Sequence, residues 1–166
     1  MLIRDESEAD YELVRALYCD AFDTPAEAAL VEQLRAVRPL VSLVLEEGMR
    51  LVGHIMFTSV SLEGSPDLNL MGLAPMAIEP DRQRRGFGSA LVEEGLIRCR
   101  ALECGAVVVL GHPGFYPRFG FRPARDARID CQYDVPADVF MVLELAPGYL
   151  GRRGGHISYH AAFNNL

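Results

Sequence analysis

Apolar residues in the amino-terminal part of the chain recur at helical intervals after one short extended segment. A strand is predicted at Leu2–Arg4, and a helix follows that Ser7 can cap. Its predicted buried face consists of Leu13, Val14, Leu17, Tyr18 and Phe22. A second helix begins at Thr24-Pro25, because proline suits the first helical position, and ends at Arg38-Pro39. Both helices precede the main sheet.

From Val41 onward the apolar pattern changes to the period of two that is typical of strands. Val41–Glu46 and Leu51–Leu62 alternate on either side of a turn at Glu47-Gly48, which is a hairpin pattern. A third strand is predicted from Leu68 to Ile78. These three successive strands are expected to be antiparallel.

The pattern then returns to helical spacing over Ser89–Leu102, and Gly105 is expected to be the left-handed residue that ends this helix. The continuous apolar run Ala106–Leu110 is typical of a strand buried on both faces, so a parallel crossover is predicted. Further strands are expected at Val139–Leu145 and around Ile157–Tyr159.

Composition and charge narrow the classes of function. The 166 residues are most simply one domain, half of them are apolar, and the net charge is −7. This charge disfavours binding to nucleic acid or to an anionic membrane. No signal peptide or long apolar span is visible, so we expect a cytoplasmic protein. The oligomeric state is left open, with a homodimer as one alternative to a monomer.

Neither a disulfide framework nor a metal site is expected. Four cysteines are present without a C-x-x-C pair, so they are most simply reduced thiols: Cys19, Cys99, Cys104 and Cys131. His156 and His160 have the spacing of metal ligands on a helix, but the residues between them favour extended structure. We therefore predict that the protein uses no metal.

A basic loop stands between the third strand and the following helix. Gly86 and Gly88 let backbone N–H groups approach an anion closely, and helix N-termini attract anions. Arg82, Arg84 and Arg85 surround them, and acidic residues are scarce until well inside the helix. The loop therefore predicts an external polyanion, and an ordinary turn with solvated arginines is the alternative.

A second distinctive segment follows the apolar run Ala106–Leu110. Residues 111–121 are rich in aromatic and turn-forming residues, and they lie where open α/β sheets bind ligands. His112 and Tyr116 are accordingly candidate site residues, although packing is the commoner role of aromatic residues in a turn.

The order of elements, the loop from Gln83 to Gly88 and the segment from Phe115 to Phe121 together resemble the GNAT superfamily of acyl-CoA-dependent N-acetyltransferases. The loop matches that superfamily's Q/R-x-x-G-x-G/A pattern. The likeness covers nearly the whole chain and is greatest for a bacterial group of small predicted acetyltransferases. It implies an α/β fold of the mixed α+β type in three layers. A central, mostly antiparallel mixed sheet would carry helices on both faces and a splayed pair of fourth and fifth strands.

The resemblance also implies a donor substrate, acetyl-CoA. Its pyrophosphate would lie on the loop formed by Gln83, Arg84, Arg85, Gly86, Phe87, Gly88 and Ser89. Its pantetheine arm would pair with main-chain groups of Met76, Ala77 and Ile78, as an added strand does. Pro75 and Pro80 are compatible with an interrupted strand edge.

The implied reaction is direct attack of a primary amine on the thioester in a ternary complex. By its position in the family pattern, Tyr116 is the candidate general acid, and the N–H of Ile78 could stabilise the oxyanion. The base stays open among three residues: Glu79, His112 and Glu27. A non-catalytic acyl-CoA sensor or partner-binding module and a binding protein for another phosphate ligand are the alternatives.

Overall fold

The computed structural model describes the whole chain, Met1–Leu166, as a mixed sheet between two layers of helices. The strands are β1 (Leu2–Asp5), β2 (Leu40–Glu47), β3 (Arg50–Leu62), β4 (Leu70–Ile78), β5 (Ala106–Leu110), β6 (Arg122–Pro123), β7 (Ile129–Cys131), β8 (Phe140–Glu144) and β9 (Gly155–Ser158). The helices are α1 (Tyr11–Ala21), α2 (Ala26–Leu34) and α3 (Phe87–Ala101).

The sheet is antiparallel except at two pairs of strands, the central pair β4/β5 and the short pair β7/β9. Its order is β1-β2-β3-β4-β5-β8-β6, with β9 joined to the end of β3 and β7 joined to β9. Strands β2, β3 and β4 pair antiparallel, and β5 pairs parallel to β4 after the α3 crossover. The predicted mixed α/β architecture, mostly antiparallel with one parallel crossover, is confirmed.

Each face of the sheet has its own apolar core. On one face α1 and α2 pack through residues that include Val14, Leu17, Leu30 and Leu34. On the other face α3 packs through residues that include Leu91, Val92, Leu96 and Cys99. Burial of these two helical stripes against the sheet supplies the main driving force for the three-layer arrangement.

Several details differ from the sequence-based expectations, and the second helix, for example, ends at Leu34 rather than at Arg38-Pro39. Helix α3 begins at Phe87 rather than Ser89, and the left-handed residue after it is Glu103 (φ 60°) rather than Gly105. Gly105 is needed for another reason, because a Cβ there would lie 2.3 Å from the ring of Tyr149. Leu13 is 56% exposed, although the helical pattern assigned it to the core. The short strands β6 and β7 carry no apolar alternation long enough to predict them.

A buried polar chain ties α1 and α2 to the edge of the sheet. The ring of His54 is fully buried, with Nδ1 2.9 Å from the Tyr18 hydroxyl and Nε2 2.8 Å from the Ser42 hydroxyl. Ser42 donates to a carboxylate oxygen of Glu6 at 2.7 Å, and Arg35 donates to the other at 2.6 Å. One proton arrangement satisfies the chain: Tyr18 donates to Nδ1, and Nε2–H donates to Ser42.

The electrostatics of this buried row of hydrogen-bonded side chains favour a neutral His54 and an ionised Glu6. Burial lowers the pKa of His54, which keeps the imidazole uncharged. Desolvation alone would raise the pKa of Glu6, but the nearby His54 ring, whose Nε2 lies 3.7 Å from the carboxylate, and hydrogen bonds from Arg35 and Ser42 outweigh it and lower that pKa to about 2. Both groups therefore bind fewer protons in the folded chain than in the unfolded one as the pH falls.

We expect the free energy of unfolding to decrease on acidification. The loss begins below pH 6.5, the ordinary pKa of histidine, because the unfolded chain protonates His54 there. It continues from pH 4.5 towards about 2 as Glu6 is protonated in the unfolded and then the folded chain. Because the sequence has no tryptophan to serve as a fluorescence probe, thermal melts followed by circular dichroism between pH 8 and pH 3 are the measurement of this decrease in the free energy of unfolding. His54→Gln should remove the upper part of the loss, and an unchanged profile would contradict the assignment.

A close approach of α3 to β3 generates a second stability prediction. A Cβ at Gly95 would lie 2.2 Å from the buried ring of Phe57, whereas a Cβ at Gly114 would meet nothing within 4 Å. Gly95→Ala should therefore lower the free energy of unfolding by about 1–3 kcal/mol despite the better helix propensity of alanine. Gly114→Ala is the control and should change it little. Equal denaturation midpoints for the two variants would contradict this packing.

Candidate active site

The parallel pairing of β4 with β5 ends early and leaves a gap in the sheet. It joins Leu70–Leu73 to Ala106–Val109, while β4 continues to Ile78 beside β3. Just past the last pair, Ala74 and Pro75 together stand opposite a single residue of β3, which is a β-bulge. Such a bulge bends a strand, and proline offers no N–H to a neighbouring strand. The predicted separation of the fourth and fifth strands is therefore present.

The backbone of β4 presents free polar groups to this gap. The N–H of Glu79 donates to the carbonyl of Val52 in β3 at 2.8 Å. Because successive residues of an antiparallel strand face opposite edges, the N–H groups of Met76 and Ile78 point towards the gap. This edge can pair with an extended ligand as β5 would.

The N-terminus of α3 lies beside the same gap. Gly86 precedes the helix with φ 87°, Arg84 has φ 61°, and the first turn of the helix contains no acidic residue. The side-chain amide of Gln83 donates to the carbonyl of Ile78 at 3.2 Å, which fastens the loop to β4. Unpaired N–H groups and the helix dipole make this end attractive to an anion.

Two of the three loop arginines have a counter-charge within the protein. Glu47 in the β2–β3 hairpin has one carboxylate oxygen 2.8 Å from Arg82 Nε and the other 3.2 Å from Arg85 Nη2. The expectation that the chain lacks a counter-charge for the loop is therefore wrong for Arg82 and Arg85. Arg84 has no ion pair in the structure, so it is the arginine available to a ligand.

A cleft of about 840 Å³ connects the gap, the α3 N-terminus and the aromatic segment. Nine of the sequence-predicted residues line it: Met76, Ile78, Gln83, Arg84, Gly86, Gly88, Ser89, His112 and Tyr116. Ala77, Arg85 and Phe87 do not line it with their side chains. Ala77 packs in the α1/α2 core and Phe87 in the α3 core. Any contribution of these two residues to a ligand would come from the main chain.

Tyr116 is held at the cleft by other aromatic rings. It opens a 3-10 helix, Tyr116–Phe119, and its ring packs edge-on against Phe115 and Phe121. A Cβ at Gly111 would lie 2.3 Å from this ring, so glycine is required there. Burial raises the pKa of Tyr116 to about 12, and its hydroxyl therefore keeps its proton at neutral pH.

The three candidate bases are not brought together. His112 is exposed and lines the cleft. Glu79 forms an ion pair with Arg50 and lines a separate hollow of about 370 Å³ next to α1. Glu27 lies on α2 and accepts a 3.3 Å hydrogen bond from Thr24. No carboxylate lines the cleft.

Comparisons with known proteins agree with this geometry. The family model described as the acetyltransferase (GNAT) domain matches residues 39–123. The N-acetyltransferase YhbS of Escherichia coli K12, itself uncharacterized, is 34% identical over an alignment of 168 positions that covers 100% of each protein. The chain belongs to the GNAT family of acetyltransferases. A second uncharacterized N-acetyltransferase of that strain, YjhQ, is 38% identical over 82% of this GNAT chain and 77% of its own length.

Two crystal structures of relatives share the fold. YhbS from E. coli in complex with CoA has a TM-score of 0.91 and 34% identity, over 98% of this chain and 91% of that one. A GNAT acetyltransferase from Brucella melitensis in complex with acetyl-CoA has a TM-score of 0.80 and 32% identity, over 98% and 97% of the two chains. The GNAT fold inferred from the sequence is therefore confirmed.

Four residues that line the cleft of this GNAT chain were not predicted as site residues: Phe22, Gly111, Phe115 and Arg118. Arg118 was detectable, because it is a basic residue inside the aromatic segment, and its guanidinium lies 4.6 Å from the ring centroid of Phe115. Phe22 ends α1 and reaches the cleft only through tertiary packing. None of the helices has the length and apolar character needed to cross a bilayer.

Proposed function

We propose that this protein transfers an acetyl group from acetyl-CoA to a primary amine. The observation that carries the proposal is the free edge of β4 at the gap, next to an α3 N-terminus with one unpaired arginine. An extended arm that ends in a polyanion matches these two features. The complexes of the two relatives with CoA and acetyl-CoA support this donor.

The donor would bind mainly through the main chain. Its pantetheine arm would lie along the β4 edge at Met76–Ile78 as an added strand. Its pyrophosphate would accept hydrogen bonds from N–H groups of the loop and the first turn of α3, and Arg84 would supply positive charge. The residues whose N–H groups are available for this are Arg84, Arg85, Gly86, Phe87, Gly88 and Ser89.

The chemistry would be direct transfer within a ternary complex. A neutral amine attacks the thioester carbonyl, a C–N bond forms and the C–S bond breaks. The N–H of Ile78, which faces the gap, would stabilise the developing oxyanion. Tyr116 would donate its proton to the departing thiolate, and its high pKa means that it holds that proton at neutral pH.

The amine must lose a proton in the same reaction. Among the three candidate bases we favour His112, because it alone lines the cleft. Glu79 and Glu27 could act only through intervening water. His112 would take the proton directly or through one water molecule and release it to solvent.

The absence of a carboxylate from the cleft favours a second candidate function. A chain that binds acyl-CoA without efficient transfer, as a sensor or a partner-binding module, needs the β4 edge and the loop but no base. The two functions share the donor site and differ only in turnover.

Calorimetry with acetyl-CoA, followed by a thiol-release assay with a broad panel of amines, tests the proposal. Binding with thiol release supports an acetyltransferase. Tight binding without release for any amine supports the sensor. Thermal stabilisation by other phosphorylated metabolites and none by CoA would overturn both in favour of a different phosphate ligand.

Substitutions of Gly88 test the donor site. A Cβ at this position meets its nearest neighbours at 3.8–3.9 Å, so a small side chain fits. Gly88→Asp places a negative charge where the pyrophosphate would lie, and it should abolish CoA binding while the fold persists. Gly88→Ala is the matched control and should retain binding. Calorimetry with CoA gives the readout, and equal affinities in both variants would remove the loop from the donor site.

Substitution of Tyr116 tests the general acid. Tyr116→Phe keeps the ring in its aromatic surroundings and removes only the hydroxyl. We expect kcat to fall by about 10²-fold with little change in acetyl-CoA affinity. Steady-state kinetics and calorimetry give the two quantities. A wild-type kcat would exclude Tyr116 from the chemistry.

A further inference from the structure

One basic side chain of the cleft, Arg118, lies apart from the loop that would hold the pyrophosphate. It belongs to the 3-10 helix of the aromatic segment, whereas Arg84, the other arginine that lines the cleft, precedes α3. Arg118 is exposed and has no ion pair in the structure. In a protein with a net charge of −7, an arginine that faces a cleft without a counter-charge indicates a site for an anion.

The guanidinium of Arg118 is held at two points by Phe115. Its Nε donates to the main-chain carbonyl of Phe115 at 2.9 Å, and its Cζ lies 4.6 Å from the centroid of the Phe115 ring. Neither of its Nη groups donates to another group of the protein. These free N–H groups form the fork that matches two oxygens of a phosphate, and packing against the ring restricts the orientation of that fork.

The ring of Phe115 also connects Arg118 to the N-terminus of α3. A Cβ at Gly88, in the first turn of this helix, would lie 3.8 Å from Cζ of Phe115. One aromatic ring therefore separates the guanidinium of Arg118 from the helix turn that would hold the pyrophosphate.

Coenzyme A carries its negative charge in two places with a matching separation. Its pyrophosphate joins the pantetheine arm to a ribose, and a second phosphate is esterified to the 3′-hydroxyl of the same ribose. A donor whose pyrophosphate lies at the N-terminus of α3 therefore has another phosphate one ribose away. Arg82 and Arg85 are less suited to meet it, because both pair with Glu47 and neither lines the cleft.

We propose that Arg118 binds the 3′-phosphate of the donor, and that this contact makes the protein select CoA thioesters over the same thioesters of dephospho-CoA. This assignment rests on the proposed acetyl-CoA donor. Because the 3′-phosphate is remote from the thioester, the contact is equally strong in the ground state and in the transition state. It therefore lowers KM for the donor and leaves kcat unchanged.

Calorimetry with CoA and with dephospho-CoA, which lacks only the 3′-phosphate, tests the assignment without turnover. The wild-type protein should bind CoA about 10-fold more tightly than dephospho-CoA. Arg118→Gln should lower the affinity for CoA by about the same factor and leave the affinity for dephospho-CoA unchanged, so that the two ligands bind alike. In steady-state kinetics the same variant should show an about 10-fold higher KM for acetyl-CoA and the wild-type kcat.

Two other arginines provide matched controls. Arg84→Gln should weaken CoA and dephospho-CoA by a similar factor, because both ligands keep the pyrophosphate that Arg84 would meet. Arg125→Gln removes the same charge from an exposed arginine that does not line the cleft, and it should change neither affinity.

Two results would overturn the assignment and leave the proposed function standing. In one, the wild-type protein binds CoA and dephospho-CoA equally well. In the other, Arg118→Gln weakens both ligands by the same factor, which means that Arg118 acts only by packing on Phe115. If neither ligand binds the wild-type protein, the proposed function fails and the role of Arg118 fails with it.

Discussion

The early end of the pairing between β4 and β5 is the constraint on which the site depends. After four residue pairs the parallel ladder stops, and β4 continues with its outer edge unpaired. A central strand with a free edge is costly, because buried N–H and C=O groups need partners. The bulge at Ala74 and Pro75 makes the separation a property of the backbone. An extended ligand can supply the missing pairs.

Other elements of the fold place a helix N-terminus, a basic loop and an aromatic segment around that gap. The α3 crossover brings a helix N-terminus to one side, and Gln83 fastens the loop to Ile78. Glu47 pairs with Arg82 and Arg85, which leaves Arg84 as the loop arginine without an ion pair. The aromatic segment closes the other side with Tyr116. Of the three loop arginines, Arg84 alone lines the cleft.

Local patterns predicted what depends on local sequence. The sequence of strand, glycine loop and helix predicted the parallel crossover. The segment that contains Tyr116 predicted the opposite wall of the cleft. Long-range partners left no such signal. Glu47 lies in a hairpin far from the loop in sequence, and nothing near it indicates the pairing with Arg85. Gly105 was predicted as a helix cap because glycine usually serves there, yet Tyr149 is what requires it.

The shifted pKa values of the buried carboxylate Glu6 and the buried imidazole His54 do not mark the site. Groups with shifted pKa values often cluster at functional sites. Glu6 and His54, however, belong to the buried hydrogen-bonded row that anchors α1 and α2, and neither lines the cleft. These two groups contribute to the site by holding in position a helix that borders the cleft. Tyr18 forms a hydrogen bond with His54 and stacks on Phe22, with ring centroids 5.8 Å apart. Phe22 in turn lines the cleft. The buried polar network thus holds α1 in place, while the cleft is lined by Arg84, Arg118 and the protonated Tyr116.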